Sequence, residues 1–489
     1  MVKTLRLFEA ALADLAESKR WRVFILAFGV ILLATANLPW HLDDYDQAKQ
    51  AYVSYEIIHT GNWWFQHTPK GATASKPPFL GWVSAALYHL TRSWEVAWRL
   101  PCFLAALAIL WILLKEGDRI RPGVGGLLAV SAFVLTFLTP RLATLVRTDM
   151  PLSLTIFAAG LLIYRQIRKG GPWSRNARLG FAGILTVSLF IKGPLIYGFL
   201  LPGLLAYWWT QRKKASPGGF WPGWWPFIVP LLIFLLWIIA GVLVSDRFYS
   251  DVVEREFLSR FVSAGKKGEK LQPFWFYLPH LFHKFLPWSL ALLALPYLLK
   301  TVRSKLREDS SAWWLVCWTL GGIVFMTLLP SKRVDRIYPV LLPAALLVPI
   351  VFQMAWDRLR VRAFAGLCMV AATLMWGGYY LFVIPEGFFR DDQNLQRVGS
   401  RFHELVREKG WSDYGIVSSK DEGMIIYGRG LYFTDPWKAA EDLCNGSVDA
   451  LLVPERHVPQ ILNKCPQVVV LQEFKTPGKN EKGYAVLSR

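Results

Sequence analysis

The chain has 489 residues, a formal net charge of +20, 54% hydrophobic residues and a mean hydropathy of +0.31. A soluble protein of this length would spread its apolar residues over cores of mixed pattern, but here they fall in blocks of roughly 18–22, each able as helix to cross about 30 Å of hydrocarbon. The basic excess does not read as a nucleic-acid surface, because Lys and Arg gather in alternate loops between the blocks, as the positive-inside rule requires.

Residues 1–22 carry Lys3, Arg6, Lys19, Arg20 and Arg22 and read as a cytoplasmic amphipathic helix. A cleavable signal peptide is not expected, since the first apolar span lacks a small-residue cleavage site. Spans are expected near 23–40, 97–114, 123–140, 150–165, 179–193, 195–210, 226–245, 285–300, 312–329, 337–356 and 363–384, which predicts an all-α polytopic membrane protein. The stretch Pro78 to Leu90 is too short to cross and reads as a re-entrant or interfacial helix. Basic loops around Lys115, Arg165, Arg212 to Lys214, Arg303 and Arg360 are assigned to the cytoplasm. This puts the N-terminus inside and, for an odd count of spans, the C-terminus outside. The 24 Trp and 17 Tyr fit interfacial belts, as at Trp221, Trp224 and Trp225.

From about Glu386 the apolar runs shorten and charge rises. A helix over Asn394 to Lys409 and short strands at Tyr414–Ser418, Met424–Tyr427, Ala450–Val453, Val468–Leu471 and Tyr484–Leu487 predict a small extracytoplasmic α/β domain. The expected domains are thus 1–22, a membrane domain 23–385 with a first external loop over 41–96, and 386–489. Cys102, Cys317 and Cys368 lie in apolar spans and read as packing residues. Cys444 and Cys465 could pair in an oxidising compartment.

The external segments hold charges that topology does not explain. Asp43, Asp44 and Asp46 cluster after the first span. One of Asp43 and Asp44 suits the cap of a helix beginning near Tyr45, and Asp46 suits general-base chemistry on a hydroxyl or phosphate nucleophile. Lys76-Pro77-Pro78 sets a cation at the head of a stiff turn, suited to a lipid phosphate. Arg147-Thr148-Asp149 precedes one span and Lys192-Gly193-Pro194 links two others. Asp149 could hold Lys192 or Arg147, or face the reaction centre. Ser331-Lys332-Arg333 with Tyr338 concentrates two cations and a phenol in a short external loop, a pattern for an anionic ligand. Pro273 to Tyr277 with Pro287-Trp288 is an aromatic run that suits either a belt or a wall for an isoprenoid tail or a sugar face.

Together these motifs resemble the bacterial GT-C glycosyltransferases of the protein-mannosyltransferase/aminoarabinose-transferase superfamily. The resemblance rests on Asp46-Gln47-Ala48, Ala51, Glu56, Gly61-Asn62-Trp63 and Lys76-Pro77-Pro78 in the first external loop. It continues through Arg147-Thr148-Asp149, Lys192-Gly193-Pro194, the Pro273–Tyr277 run and Ser331-Lys332-Arg333…Tyr338…Pro343. It implies a polyprenyl-phosphate-linked sugar donor, an extracytoplasmic active site and an inverting displacement. Asp46 and Asp149 are then the catalytic candidates, and Lys76, Lys192, Lys332, Arg333 and Tyr338 the donor-phosphate ligands. Asp43, Asp44, Glu56, Arg147, Arg255, Trp275 and Tyr277 are the supporting candidates.

Three positions depart from the family pattern. Ser75 stands where an acid often precedes Lys-Pro, Gln47 replaces a glutamate, and Lys270 stands where some relatives have a histidine. In aminoarabinose transferases such an acid and histidine are associated with a metal ion, so no cofactor is assigned and a divalent metal stays open. The expected partners are the lipid-linked donor, membrane lipids and a lipid, glycan or protein acceptor. The rival readings are an anionic-lipid flippase, which would want mid-span charges and inverted repeats, and a non-catalytic lipid-binding assembly protein.

Overall fold

The computed structural model describes residues 2–42, 44–212, 219–258, 272–285, 289, 295–355, 358–389, 394–476 and 480–489. Asp43, Lys213, Lys214, Lys270, Pro287 and Trp288 therefore lie outside the described residues, as does most of the span expected at 285–300. The chain divides into two compact units. One comprises Met1–Ala36, Pro101–Thr144 and Thr148–Leu381, and the other Asn37–Leu100, Leu145–Arg147 and Phe382–Arg489.

The first unit is helical. Among the described residues of the chain, six helices are long and apolar enough to cross a membrane: Trp94–Ile120, Asp149–Lys169, Trp225–Val244, Ser310–Leu328, Val334–Ala355 and Arg360–Phe388. The spans expected at 23–40, 123–140, 179–193 and 195–210 also fall largely on helix. Lys19–Thr35 and Leu195–Gln211 are shorter, and Arg175–Lys192 carries three cations. The 123–140 segment is divided between Gly125–Val134 and Leu138–Ala143. The N-terminal amphipathic helix ends at Glu17, and a new helix starts at Lys19. Trp225–Val244 presents Leu236, Leu243 and Val244 on its outer surface, as a lipid-facing helix would.

Small residues let helices in this unit approach to backbone contact. A Cβ on Gly203 would lie 2.8 Å from Trp318 Cα, and one on Gly321 would lie 2.5 Å from Gly203 N, so the helices Leu195–Gln211 and Ser310–Leu328 cross at these two glycines. Neither backbone can step aside as a flexible side chain would. A Gly203→Leu variant is expected to lose at least about 1–3 kcal/mol, read as a lowered melting temperature of the detergent-solubilised protein. Near the basic loops, the buried Glu116 is held by Arg119 and by Arg165, whose Nε donates at 3.1 Å.

The second unit joins the first external loop to the C-terminal segment. Its four-stranded sheet has the order β1-β2-β4-β3, with β1 Tyr414–Ile416, β2 Ala450–Pro454, β3 Val469–Lys475 and β4 Gly483–Ser488. The β1–β2 pair is parallel and the other two pairs are antiparallel. Side chains alternate along β2. Leu451 and Val453 pack with Leu443, Ile461 and Leu487, while Leu452 packs with Phe402, Met424 and Val486. The second of these cores also contains Ala48, Ala51, Tyr52 and Tyr55, so the helix Tyr45–Thr60 of the first external loop is one layer of the C-terminal fold.

Four of the five expected strands are present. The fifth, Met424–Tyr427, is instead the helix Gly423–Tyr427. Four apolar residues between Gly423 and Gly428 carry no period that separates a buried strand from a buried helical turn. The short Phe79–Thr91 helix occupies the stretch expected to be non-spanning. Cys444 and Cys465 are disulfide-bonded, with their Cα atoms 5.7 Å apart.

Candidate active site

Asp44 is the N-cap of Tyr45–Thr60 and accepts from Gln47 N at 3.2 Å, which satisfies one of the orphan donors of the first turn. The capped turn projects Asp46, whose Oδ2 accepts from Arg147 Nη2 at 3.0 Å; Asp44 Oδ1 lies 3.7 Å from the same nitrogen. Gln47 pins the strip that carries this arginine, because its Oε1 accepts from Val146 N at 3.1 Å. A neutral amide suits that task, since an acid there would add a third carboxylate around one guanidinium.

On the same helix, Lys49 donates to Ser75 Oγ at 3.4 Å, next to Lys76. Lys76 is half-buried. Lys49 was not singled out from the sequence, although its i, i+3 spacing from Asp46 puts both on one helix face.

Glu56 is fully buried lower on this helix. Its carboxylate accepts from His67 N at 2.5 Å, pairs with His67 Nδ1 at 2.8 Å and accepts from Tyr432 OH at 3.1 Å. The hydrogen bond to Glu56 holds the His67 imidazole above its ordinary range, against the opposing effect of burial. Burial, then the Glu56 charge, pushes the Tyr432 phenol up to about 12. Glu56 thus ties the external loop to the C-terminal fold and faces protein on every side where a partner is seen.

The other unit holds the remaining candidates. Lys192, the last residue of its helix, donates to Asp149 Oδ1 at 2.5 Å, with the two side chains 8% and 10% exposed. Asp149 opens the helix Asp149–Lys169, so each charge sits at the helix end whose dipole favours it. Of the alternatives open at the sequence level, Asp149 takes Lys192 as its ion-pair partner.

The Ser331-Lys332-Arg333 turn is closed by Arg336, whose Nη1 donates to Ser331 O at 2.8 Å and to its Oγ at 3.0 Å. Lys332 Nζ donates to Gln272 O at 3.4 Å. Tyr277 is buried and braces the turn, its hydroxyl donating to Arg333 O at 3.3 Å and accepting from Arg333 N at 3.4 Å. The Arg333 side chain is exposed.

Tyr338 is fully buried, and its hydroxyl is 2.6 Å from Thr139 Oγ1. In this structure the phenol faces Thr139 and not an open surface, which suits holding the loop better than touching a donor. Trp275 is exposed beside Phe274, and Arg255 is exposed on the π-helix Tyr249–Phe257.

A resident metal would need the acids at the first turn of Tyr45–Thr60 as donors. The Arg147 guanidinium already lies against both Asp44 and Asp46, and among the described residues no three His, Cys, Asp or Glu side chains are grouped to hold an ion. The described residues do not fit a resident metal.

No protein-family model matches the chain. Among curated proteins it is 23% identical over 484 residues to the undecaprenyl phosphate-alpha-4-amino-4-deoxy-L-arabinose arabinosyl transferase of Pectobacterium atrosepticum, covering 95% of this chain and 82% of that one. It is 28% identical over 341 residues to an enzyme of the same name from Pseudomonas fluorescens, covering 68% of this chain and 57% of that one. In three dimensions it matches the crystal structure of ArnT from Cupriavidus metallidurans bound to undecaprenyl phosphate, with TM-score 0.75, 15% identity, and 96% and 98% of the two chains covered. The chain thus has the GT-C-type fold of that ArnT structure and is similar along most of its length to aminoarabinose transferases.

Proposed function

We propose that the protein transfers a sugar from a polyprenyl-phosphate carrier to an acceptor of the bacterial envelope, a lipid A-type glycolipid first among them. The observation that carries this reading is the similarity to undecaprenyl-phosphate-dependent arabinosyl transferases along 95% of the chain. Asp46 is the base or orienting group for the acceptor nucleophile. Arg147 Nη2 holds its Oδ2 at 3.0 Å, which orients the carboxylate for taking a hydroxyl proton. The donor departs as a lipid phosphate, which needs positive charge more than a proton, so cations serve it better than acids. We assign that role to Lys76 in one unit and to Lys192, Lys332 and Arg333 in the other. Asp149 fixes Lys192, while Tyr277, Arg336 and Tyr338 fix the Lys332–Arg333 turn.

The chain is a multi-pass membrane protein. We place it in the inner membrane with its N-terminus in the cytoplasm and the Asn37–Leu100 and C-terminal segments in the periplasm. The basic loops and the paired Cys444 and Cys465 support that orientation.

The test is transfer by purified protein from undecaprenyl-phosphate-linked sugars, with mass spectrometry of envelope glycolipids from cells with and without the protein. The expected result is a sugar increment on one glycolipid and release of undecaprenyl phosphate. The Lys332→Ala/Arg333→Ala variant is expected to raise the donor KM at least about tenfold, the loss of one or two charge-assisted bonds to phosphate. Transfer from nucleotide sugars but from no lipid-linked donor would overturn the proposal.

A further inference from the structure

The second unit contains a cavity of about 650 Å³ that neither Asp46 nor Lys76 lines. Its size is that of a small-molecule site. One wall is aromatic: Tyr88 and Trp94 stack with centroids 3.8 Å apart and planes 12° from parallel, and Tyr55 lies 5.7 Å from Trp94. The lining also holds basic groups. His403 and Arg407 stand one helical turn apart on Leu395–Lys409, and Arg429 follows the helix Gly423–Tyr427.

Two acids also reach the cavity, and each has an arginine beside it, Arg401 being shared between Glu404 and Glu408. Glu95 is held by Arg99 and accepts from Tyr427 OH at 3.2 Å, and Glu404 accepts from Arg401 at 2.8 Å. Neither Arg407 nor Arg429 pairs with a carboxylate among the described residues. The cavity therefore carries two guanidinium groups that have no carboxylate in a salt bridge among the described residues.

Two further observations point to a ligand. Arg429 has φ +54°, in the left-handed region that favours glycine, although Gly428 and Gly430 flank it. A chain that needed only the turn would be easier to build with glycine at the third position. His403 Nε2 is buried without a hydrogen-bond partner. Burial, then the Arg429 and Arg407 charges, hold the His403 imidazole below its ordinary range, so the ring meets an incoming group in its neutral form.

We propose that this cavity binds an anionic saccharide, its phosphate or carboxylate on Arg407 and Arg429, its hydroxyls on His403 and its ring against Tyr88 and Trp94. On the transferase reading, such a group is the headgroup of the acceptor, held apart from the reacting hydroxyl. The site itself is tested without turnover, so a failure of the transferase reading leaves the binding result standing.

The full-length protein in detergent is titrated by calorimetry with glucosamine 6-phosphate, galacturonic acid, glucose and inorganic phosphate. At least one charged sugar is expected to bind about tenfold or more tightly than glucose and than inorganic phosphate. The preferred one identifies the anion as phosphate or carboxylate. Arg429→Gly keeps the left-handed turn and Arg407→Gln is at the surface, so both variants are expected to melt as the parent does and each to weaken binding about tenfold. Inorganic phosphate binding as tightly as the charged sugars would remove the saccharide from the proposal. Binding of no probe, or binding indifferent to both variants, would end it.

Discussion

An Asp46→Asn variant is expected to lose transfer by roughly 10²–10⁴-fold, the range for removing a positioned general base, while folding as the parent does. The two side chains are isosteric. Asparagine keeps one oxygen for Arg147, and Asp44 remains 3.7 Å from the same guanidinium nitrogen, so the arginine is not left without a carboxylate. Asp46 is 28% exposed, and a partly exposed pair of this kind contributes about 1 kcal/mol or less. The loss in rate therefore far exceeds any loss in stability. Asp44→Asn provides the control. Asparagine caps a helix as well as aspartate, so the turn that presents Asp46 stays in place and transfer stays within a few-fold of the parent. Full transfer by a folded Asp46→Asn protein would remove the carboxylate from the reaction. Equal losses from both variants would make the first turn a structural element only.

The parts of this arrangement that were legible in the sequence are local or covalently patterned. The Asp44 cap follows from an acid placed before a helix start, and the Asn394 cap of the helix Leu395–Lys409 has the same logic. Apolar blocks gave the positions of the described membrane helices, and short apolar runs gave four strands. The pairing of Asp149 with Lys192 was open as one of several choices because both flank apolar spans, where a lone charge is costly.

What was not legible is long in sequence separation. The Gln47–Val146 bond and the Asp46–Arg147 pair each join residues about a hundred positions apart, and Tyr338 finds Thr139 across 199. No local pattern encodes such partners. The same holds for the helix Gly423–Tyr427. Gly423 packs where a Cβ would lie 2.6 Å from Leu42 O, so its conformation is set by a segment far away in the chain. The polar first external loop gave no sign that Tyr45–Thr60 is buried, and only the fold shows that Phe402, Ile416 and Met424 pack against it.

The largest stability change is expected at the Asp149–Lys192 pair. Both side chains are about nine-tenths buried and 2.5 Å apart. Asp149→Leu leaves an ammonium in a site that water hardly reaches, and removal of one partner from a buried pair costs about 3–5 kcal/mol. Lys192→Met strands the carboxylate instead, and although the first turn of Asp149–Lys169 favours a negative charge, a loss of the same order follows. The double variant leaves no charge behind. Replacing a whole buried pair with apolar groups of similar size is often neutral, so most of the stability returns, and the double-mutant cycle shows a coupling of up to about 3 kcal/mol. Transfer separates structure from chemistry. If Lys192 serves the donor phosphate, the double variant melts near the parent temperature but remains slow, with a raised donor KM. If the pair only joins two helices, activity returns together with the melting temperature, and Lys192 leaves the donor site.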